Sequence, residues 1–196
     1  MKNKTFQLTA TALMVAFTLV LGLTPLGFLT IPFTGIEITL MCLPVIIGTV
    51  MLGWKHGLVL GLIFGLTSLY KALTAPPPLL APLVQYPLAL YPSIFIPRLL
   101  LPLVTWGVYR ATQKLPKAVG LGLTAAAGSL TNTVLFLGMI FLLGAAPVAQ
   151  HFNMTVEAVG ITFATIILTN GLPEMAAAVL ICTPVLLALY KVYKKD

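Results

Sequence analysis

The chain consists of long apolar runs that alternate with short segments rich in Pro, Gly or Lys. The hydrocarbon core of a bilayer is about 30 Å thick and requires roughly 20 apolar residues per helix, and irregular backbone cannot face lipid. The pattern therefore predicts an all-α membrane protein, a single domain over residues 1–196 with six transmembrane helices. We place these helices at residues 6–23, 38–52, 57–72, 93–111, 118–143 and 158–190.

The sixth apolar run is longer than a bilayer requires. Proline removes a backbone donor and crowds the preceding turn of a helix, so the two prolines of this run, Pro173 and Pro184, are candidate bends. We expect the last helix either to bend near one of them or to project past the membrane.

The basic residues mark one side of the membrane. Short cytoplasmic loops collect Lys and Arg, and with the N-terminus inside, nine of the eleven cationic residues fall on the cytoplasmic face. Both termini are therefore predicted to be cytoplasmic. Lys71 and Arg98 instead fall within spans or at their outer ends, and Glu37 and Glu157 fall in outer connections. The nine inner residues are Lys2, Lys4, Lys55, Arg110, Lys114, Lys117, Lys191, Lys194 and Lys195.

The composition agrees with this class of protein. Hydrophobic residues make up 59% of the chain and charged residues 8%, with a mean hydropathy of +1.06, so the lipid bilayer is the solvent of this protein. The net charge of +7 follows from the basic cytoplasmic face and its attraction to anionic lipid headgroups. No nucleic-acid partner is expected.

Sequence signatures of enzymes and metal sites are lacking. The chain has no G-x-x-x-x-G-K-[ST] loop, no H-E-x-x-H and no G-x-S-x-G. Cys42 and Cys182 lie in apolar runs without metal-ligand spacing, which favours buried free thiols, and His56 has no second ligand near it. We expect no catalytic residue, no metal and no cofactor.

Two apolar connections on the predicted outer face, residues 24–37 and 73–92, are interrupted by Pro and Gly. Such segments cannot continue a helix, and their apolar residues need a buried location. They could form a lid over a site at the outer face, or they could simply pack on the helix ends. The inner connections are short and basic, so a site there is less favoured.

Small residues recur at a spacing of four on two spans. Gly57, Gly61 and Gly65 lie on the third span, and Ala12 and Ala16 on the first. This spacing lets helix backbones approach closely in lipid. The glycines suit packing within the bundle, whereas the alanines could either do the same or receive another subunit.

Arg98 lies inside an apolar run, about five residues into the fourth span. At 1.5 Å per residue it is roughly 7–8 Å below the outer surface. An ionisable residue at this depth usually marks a functional site. Lys71 is interpreted differently, as a side chain that extends to the outer surface, with a ligand role as the alternative.

Further polar residues lie within the spans. Asn132 is in the outer half of the fifth span, and Asn170 and Glu174, four residues apart, share a face of the sixth. A buried Glu must be protonated, paired or hydrated, and the guanidinium of Arg is a suitable partner for it or for a substrate carboxylate. Arg98 is therefore either a substrate ligand, which we favour, or a structural partner of Glu174.

At this point the whole chain resembles the substrate-binding S components of energy-coupling factor (ECF) vitamin transporters. The resemblance rests on the size, on six spans with both termini inside, and on Ala12 and Ala16, which are similar to the A-x-x-x-A contact of the family. The pantothenate branch is the most similar, although Cys42 stands where that branch often has a histidine. The segments that carry this similarity are 24–28, 38–48, 64–69 and 97–98.

The resemblance implies a subunit of the bacterial cell membrane that binds a vitamin tightly near the outer face, under the loop between the first two spans. Its partners would be the transmembrane coupling subunit EcfT, contacted through Ala12 and Ala16, and the ATP-hydrolysing subunits EcfA and EcfA′. This chain itself would hydrolyse nothing.

The candidate substrate residues match the chemistry of pantothenate, an anion with hydroxyl and amide groups. Arg98 would bind the carboxylate, the two asparagines the amide and hydroxyls, and Glu174 a hydroxyl or Arg98 itself. Two aromatic residues would cover the aliphatic part. The six predicted residues are Arg98, Asn132, Asn170, Glu174, Phe33 and Tyr91.

Three other functions are considered. The same architecture could bind another vitamin or precursor, such as hydroxymethylpyrimidine or a pyridoxine-like ring, with Arg98 in a structural role. A small integral-membrane enzyme would need Glu174 or His56 as a catalytic group, but neither has a nucleophile or base at a matching position. A purely structural helical subunit is the third possibility.

Overall fold

The computed structural model describes residues 4–30 and 37–193. Within these ranges the chain forms a helical bundle and one short hairpin of two antiparallel strands, β1 (Phe28–Thr30) and β2 (Glu37–Thr39). The helices are α1 (Lys4–Leu23), α2 (Cys42–Leu52), α3 (Trp54–Thr74), α4 (Pro87–Ala111), α5 (Lys117–His151), α6 (Val156–Ile166) and α7 (Leu172–Tyr193).

The predicted class of multi-pass helical membrane protein is confirmed. Within the described residues, five helical segments are long and apolar enough to cross a membrane. The count of six spans and the cytoplasmic location of the termini stay predictions. The five segments are Lys4–Leu23, Trp54–Thr74, Pro87–Lys114, Lys117–His151 and Val156–Val192.

The predicted second span, 38–52, is helical only from Cys42 to Leu52. The prediction was wrong for residues 38–41, because Ile38 and Thr39 belong to β2, whose backbone pairs with β1. The 11 residues of α2 extend about 16 Å, roughly half of a bilayer core. Every residue from Cys42 to Val50 is buried, so α2 is surrounded by protein over these nine residues and presents no lipid-facing side there.

Helices α3 and α4 approach each other closely at Gly61. A methyl group on Gly61 would collide with the carbonyl oxygen of Arg98 and would lie 3.5 Å from Pro102 Cγ. Pro102 lacks the N–H that would bond the carbonyl four residues earlier, which is that of Arg98. The glycine therefore lets α3 contact a carbonyl that α4 leaves without its helical donor. Gly57 and Gly65 likewise pack on Pro102 and Phe95 of α4, which confirms the glycine face as internal packing.

Gly61→Ala is expected to destabilise the protein by about 1–3 kcal/mol, because the added methyl group overpacks this contact. Thermal unfolding of the purified protein in detergent measures the effect. Gly107→Ala on α4 is the matched control, since apart from its chain neighbours and the backbone of its own helix no described atom lies within 4 Å of the added methyl group. Equal melting temperatures for the two variants would contradict the close contact of α3 with α4.

The sixth apolar run is one helical segment with an irregular middle. Residues Ile167–Gly171, between α6 and α7, form a π-helical turn directly before Pro173. Proline removes a backbone donor, and a wider turn is one way for a helix to accommodate this. The π-helical turn thus lies near Pro173, one of the two predicted bend positions, whereas Pro184 lies inside the continuous helix α7. The bend itself stays a prediction.

The second outer connection packs on the bundle. Leu80 and Leu83 are buried, and the Leu83 side chain lies directly over Gly144 of α5, where a methyl group would be 2.9 Å from Leu83 Cδ2. For this segment the contacts favour packing on the helix ends, the second of the two interpretations given above.

Candidate functional site

The guanidinium of Arg98 lies between two aromatic rings in the interior of the bundle. Its Cζ is 4.3 Å from the ring centroid of Phe136 on α5 and 5.0 Å from that of Phe64 on α3. The side chain is 7% exposed, and within the described part of the chain Nε and Nη1 have no hydrogen-bond partner. The two rings offset part of the cost of burying the charge, but they do not accept the hydrogen bonds that these two nitrogens can donate.

Glu174 is the second buried charged side chain, 8% exposed at the start of α7. Its Oε1 accepts a hydrogen bond of 3.0 Å from the backbone N–H of Thr39, and its Oε2 accepts one of 2.7 Å from the hydroxyl of Thr133. The carboxylate therefore connects the hairpin strand β2 with α5 and α7.

Arg98 and Glu174 are the two charged side chains that are buried among the described residues. Both carboxylate oxygens accept hydrogen bonds from Thr39 and Thr133, while two Arg98 nitrogens have no partner among the described residues. A purely structural pair would use the guanidinium donors on the carboxylate. The contacts of Glu174 thus leave Arg98 available to another anionic group.

Other buried polar atoms of the bundle also lack a partner. Ser93 Oγ, Ser129 Oγ and Asn132 Oδ1 have no hydrogen-bond partner within the described residues. Asn132 and Phe136 are four residues apart and share a face of α5, so Asn132 lies on the side that contacts Arg98. Buried polar groups are normally hydrogen-bonded, and unpaired ones call for an explanation. We refer to Arg98, Asn132 and Glu174 as the interior polar layer.

Residues 6–186 match the family described as "ECF transporter, substrate-specific component". The chain belongs to this family. It is also 33% identical to the pantothenic acid transporter PanT of Lactococcus lactis subsp. cremoris (strain MG1363), over 97% of this chain and 96% of that protein. The resemblance to S components, most of all to the pantothenate branch, is confirmed.

The family assignment makes this S component part of a transporter and not an enzyme. Its apolar helices fit a multi-pass membrane location. The alternative of a small membrane enzyme therefore has no support. Within the described residues, no group of three or more His, Cys, Asp or Glu side chains could hold a metal, and Cys42 and Cys182 are buried free thiols.

The structure brings three of the six predicted substrate residues, Arg98, Asn132 and Glu174, into the bundle interior. Asn170 is half-buried in the π-helical turn, and its Oδ1 accepts a bond of 3.3 Å from the hydroxyl of Thr169, which is exposed. Tyr91 is 46% exposed near the start of α4. Phe33 lies outside the described residues.

Four contributors to the site were missed by sequence reasoning. Phe64 and Phe136 sit in apolar runs and look like ordinary lipid-facing or core residues, so only their contact with Arg98 distinguishes them. Thr39 contributes a backbone N–H, which no sequence pattern reports. Thr133 is one residue after Asn132, and its position in a polar stretch was the single available signal.

Helix α1 presents an exposed apolar face. Ala12 and Ala16 are both exposed, together with Leu13 and Phe17. No other described segment of this S component covers the two alanines. This face is therefore available to lipid or to another subunit.

Proposed function

We propose that this S component binds pantothenate in the interior polar layer, with Arg98 as the ligand of the carboxylate. The observation that carries the proposal is the state of Arg98, which is buried between two rings with two nitrogens that have no partner among the described residues. A buried guanidinium with free donors is suited to a carboxylate, which it binds through two parallel hydrogen bonds.

The rest of the layer suits the neutral groups of the same ligand. The Asn132 amide is buried, and its Oδ1 has no partner in the described part of the chain. Such groups can exchange hydrogen bonds with the amide and hydroxyls of pantothenate. The likeness to a pantothenic acid transporter supports the same ligand.

Two further roles belong to the outer segments. Phe33, from the first outer connection, and Tyr91, from the start of α4, would cover the aliphatic part of the ligand. Asn170 would add an amide. Glu174 would position the hairpin over the site through its bond to Thr39.

The transport cycle requires partners. The exposed alanines of α1, Ala12 and Ala16, are proposed to contact the coupling subunit EcfT, because small residues let a second helix approach closely. EcfA and EcfA′ would hydrolyse ATP and so drive release inside the cell. We propose six spans with both termini in the cytoplasm.

A second candidate is a neutral ring ligand, such as a pyridoxine-like or hydroxymethylpyrimidine vitamin. It is favoured by the stacking of Arg98 on Phe64 and Phe136, which gives the guanidinium two partners even without an anion. In that case Arg98 would be structural and the carboxylate of pantothenate would add nothing to binding.

Competition binding to the purified protein in detergent separates the two candidates. Radiolabelled pantothenate is bound first, and the competitors are unlabelled pantothenate, its neutral alcohol analogue with CH₂OH in place of the carboxylate, and pyridoxine. Loss of an anion from a buried charged contact costs at least about 2 kcal/mol, so the alcohol is expected to compete at least about thirtyfold more weakly. Equal competition by the alcohol, or binding of pyridoxine alone, would contradict the proposal.

A further inference from the structure

A groove lies at the end of the bundle opposite the hairpin, between the last turn of α4, the start of α5 and the last turns of α7. It has a volume of about 280 Å³ and is partly open. Pockets for drug-sized ligands measure roughly 300–1,000 Å³, so this one suits a small group. We call it the inner groove, and its lining includes Tyr109, Thr112, Gln113, Leu115, Lys117 and Tyr190.

The charge around the inner groove is positive. Lys117 lies on its lining with Nζ 5.3 Å from the ring centroid of Tyr190, and Lys114 precedes it in the adjoining 3₁₀ turn. Helix α5 begins at Lys117 with no acidic residue in its first turn and no side-chain cap. Two cations beside the positive end of a helix repel it, and a bound anion would compensate.

No described carboxylate can supply that compensation. The acidic side chains that the structure describes are Glu157 at the start of α6 and Glu174 inside the bundle. Glu37 belongs to β2, in the hairpin at the other end of the bundle. Helix α5, 35 residues long, separates the groove from the start of α6. Asp196, the remaining acid of the chain, lies outside the described residues.

The aromatic side chains at and beside the groove are of the types that favour the depth of lipid headgroups. Trp106 and Tyr109 are in ring contact at 5.5 Å, and the hydroxyls of Tyr109 and Tyr190 contact each other. Trp and Tyr are enriched at the membrane–water interface, where their polar ends meet the headgroups. Leu115, 43% exposed on the groove lining, offers an apolar surface beside the cations.

We propose that the inner groove binds the phosphate headgroup of an anionic membrane phospholipid, with Lys117 as the main cationic contact. Basic pockets between transmembrane helices on the cytoplasmic side are suited to anionic headgroups. The small volume, the cations and the adjacent apolar surface match a phosphate attached to glycerol. This site is separate from the interior polar layer and does not depend on which vitamin the layer binds.

Native mass spectrometry of the full chain tests the proposal. The protein in detergent is equilibrated with equal amounts of phosphatidylglycerol and phosphatidylcholine of identical acyl chains, and the retained lipids are counted. Wild type is expected to retain one phosphatidylglycerol in preference to phosphatidylcholine. Lys117→Gln should lower this retention about fivefold, the effect of one Lys near an anionic headgroup. Leu115→Trp, which fills the groove but keeps the charge, should lower it as well.

The matched control is Lys55→Gln, because Lys55 also lies over an aromatic ring, that of Trp54 at 5.8 Å, but does not line the groove. It should retain the lipid as wild type does. Equal losses in Lys55→Gln and Lys117→Gln would mean a general surface attraction and would overturn the site. Equal retention of the two lipids by wild type would do the same. Displacement of the lipid by millimolar inorganic phosphate would assign the groove to a free anion and overturn the lipid as its ligand.

Discussion

Arg98→Met is expected to lower pantothenate affinity by at least about thirtyfold while the ligand-free protein stays folded. Truncating one partner of a buried, hydrogen-bonded charge pair costs about 2–5 kcal/mol, and each 1.4 kcal/mol is tenfold in affinity. Methionine keeps a similar apolar volume between the rings of Phe64 and Phe136. Replacing a buried charge by an apolar residue of similar size is often neutral or stabilising. Equilibrium binding of radiolabelled pantothenate and thermal unfolding of the ligand-free protein measure the two effects.

Arg110→Met is the matched control for this result. Arg110 lies on the same helix and also over an aromatic ring, that of Trp106 at 6.0 Å, but it is exposed and far along α4 from the interior polar layer. It should bind pantothenate as wild type does. Arg98→Lys, which keeps the charge but loses the two-pronged donor, should fall between wild type and Arg98→Met. Unchanged affinity in Arg98→Met would leave the guanidinium with a structural role only.

Glu174→Ala is expected to lower pantothenate affinity by at least about tenfold and to loosen the hairpin. The substitution removes the acceptor of the Thr39 N–H and of the Thr133 hydroxyl. Hydrogen bonds to a charged group contribute about 1.5–3 kcal/mol each. Without them β2 loses its connection to α7, so the backbone amide of Thr39 should exchange its hydrogen faster. Hydrogen–deuterium exchange of residues 37–41 and pantothenate binding are the two measurements.

Two variants separate the contributions of Glu174. Thr133→Val keeps the shape of the side chain and removes only the bond to Oε2, so Thr39 should exchange as slowly as in wild type. Glu174→Gln keeps an acceptor for Thr39 but removes the negative charge beside Arg98, so its affinity loss should be smaller than that of Glu174→Ala. Fast hydrogen exchange of the Thr39 backbone amide in wild type would contradict the role of this carboxylate in holding the hairpin. An unchanged exchange rate of that amide in Glu174→Ala would contradict it as well.

The apolar runs predicted the helices well where a helix is lipid-facing on one side. Helices α3 and α4 cover the predicted runs 57–72 and 93–111 and extend beyond them. The second run misled at its start, because Ile38 and Thr39 are as compatible with a strand as with a helix. Their state depends on pairing with β1, a contact between separate segments.

The candidate site was predictable in its charges and not in its contacts. Arg98 was conspicuous because a charge in an apolar run is costly and therefore rare. Its contacts could not be deduced, since Phe64 and Phe136 come from two other helices. The partners of Glu174, Thr39 and Thr133, likewise come from two other elements. Asn170 and Glu174 were expected to share a face, but the π-helical turn that contains Asn170 changes the helical period between them.

The sequence by itself determined the class of this protein, because hydropathy and the placement of charges report directly on what solvent each segment prefers. It also determined the family, through the similarity that extends over almost the whole chain. Only the tertiary structure decided that α2 is enclosed and that Gly61 contacts the carbonyl of Arg98. It also decided that the guanidinium lies between Phe64 and Phe136, with two nitrogens that have no partner among the described residues. These are contacts between helices distant in sequence, and the packing of the assembled bundle sets them, not the local preference of any one run.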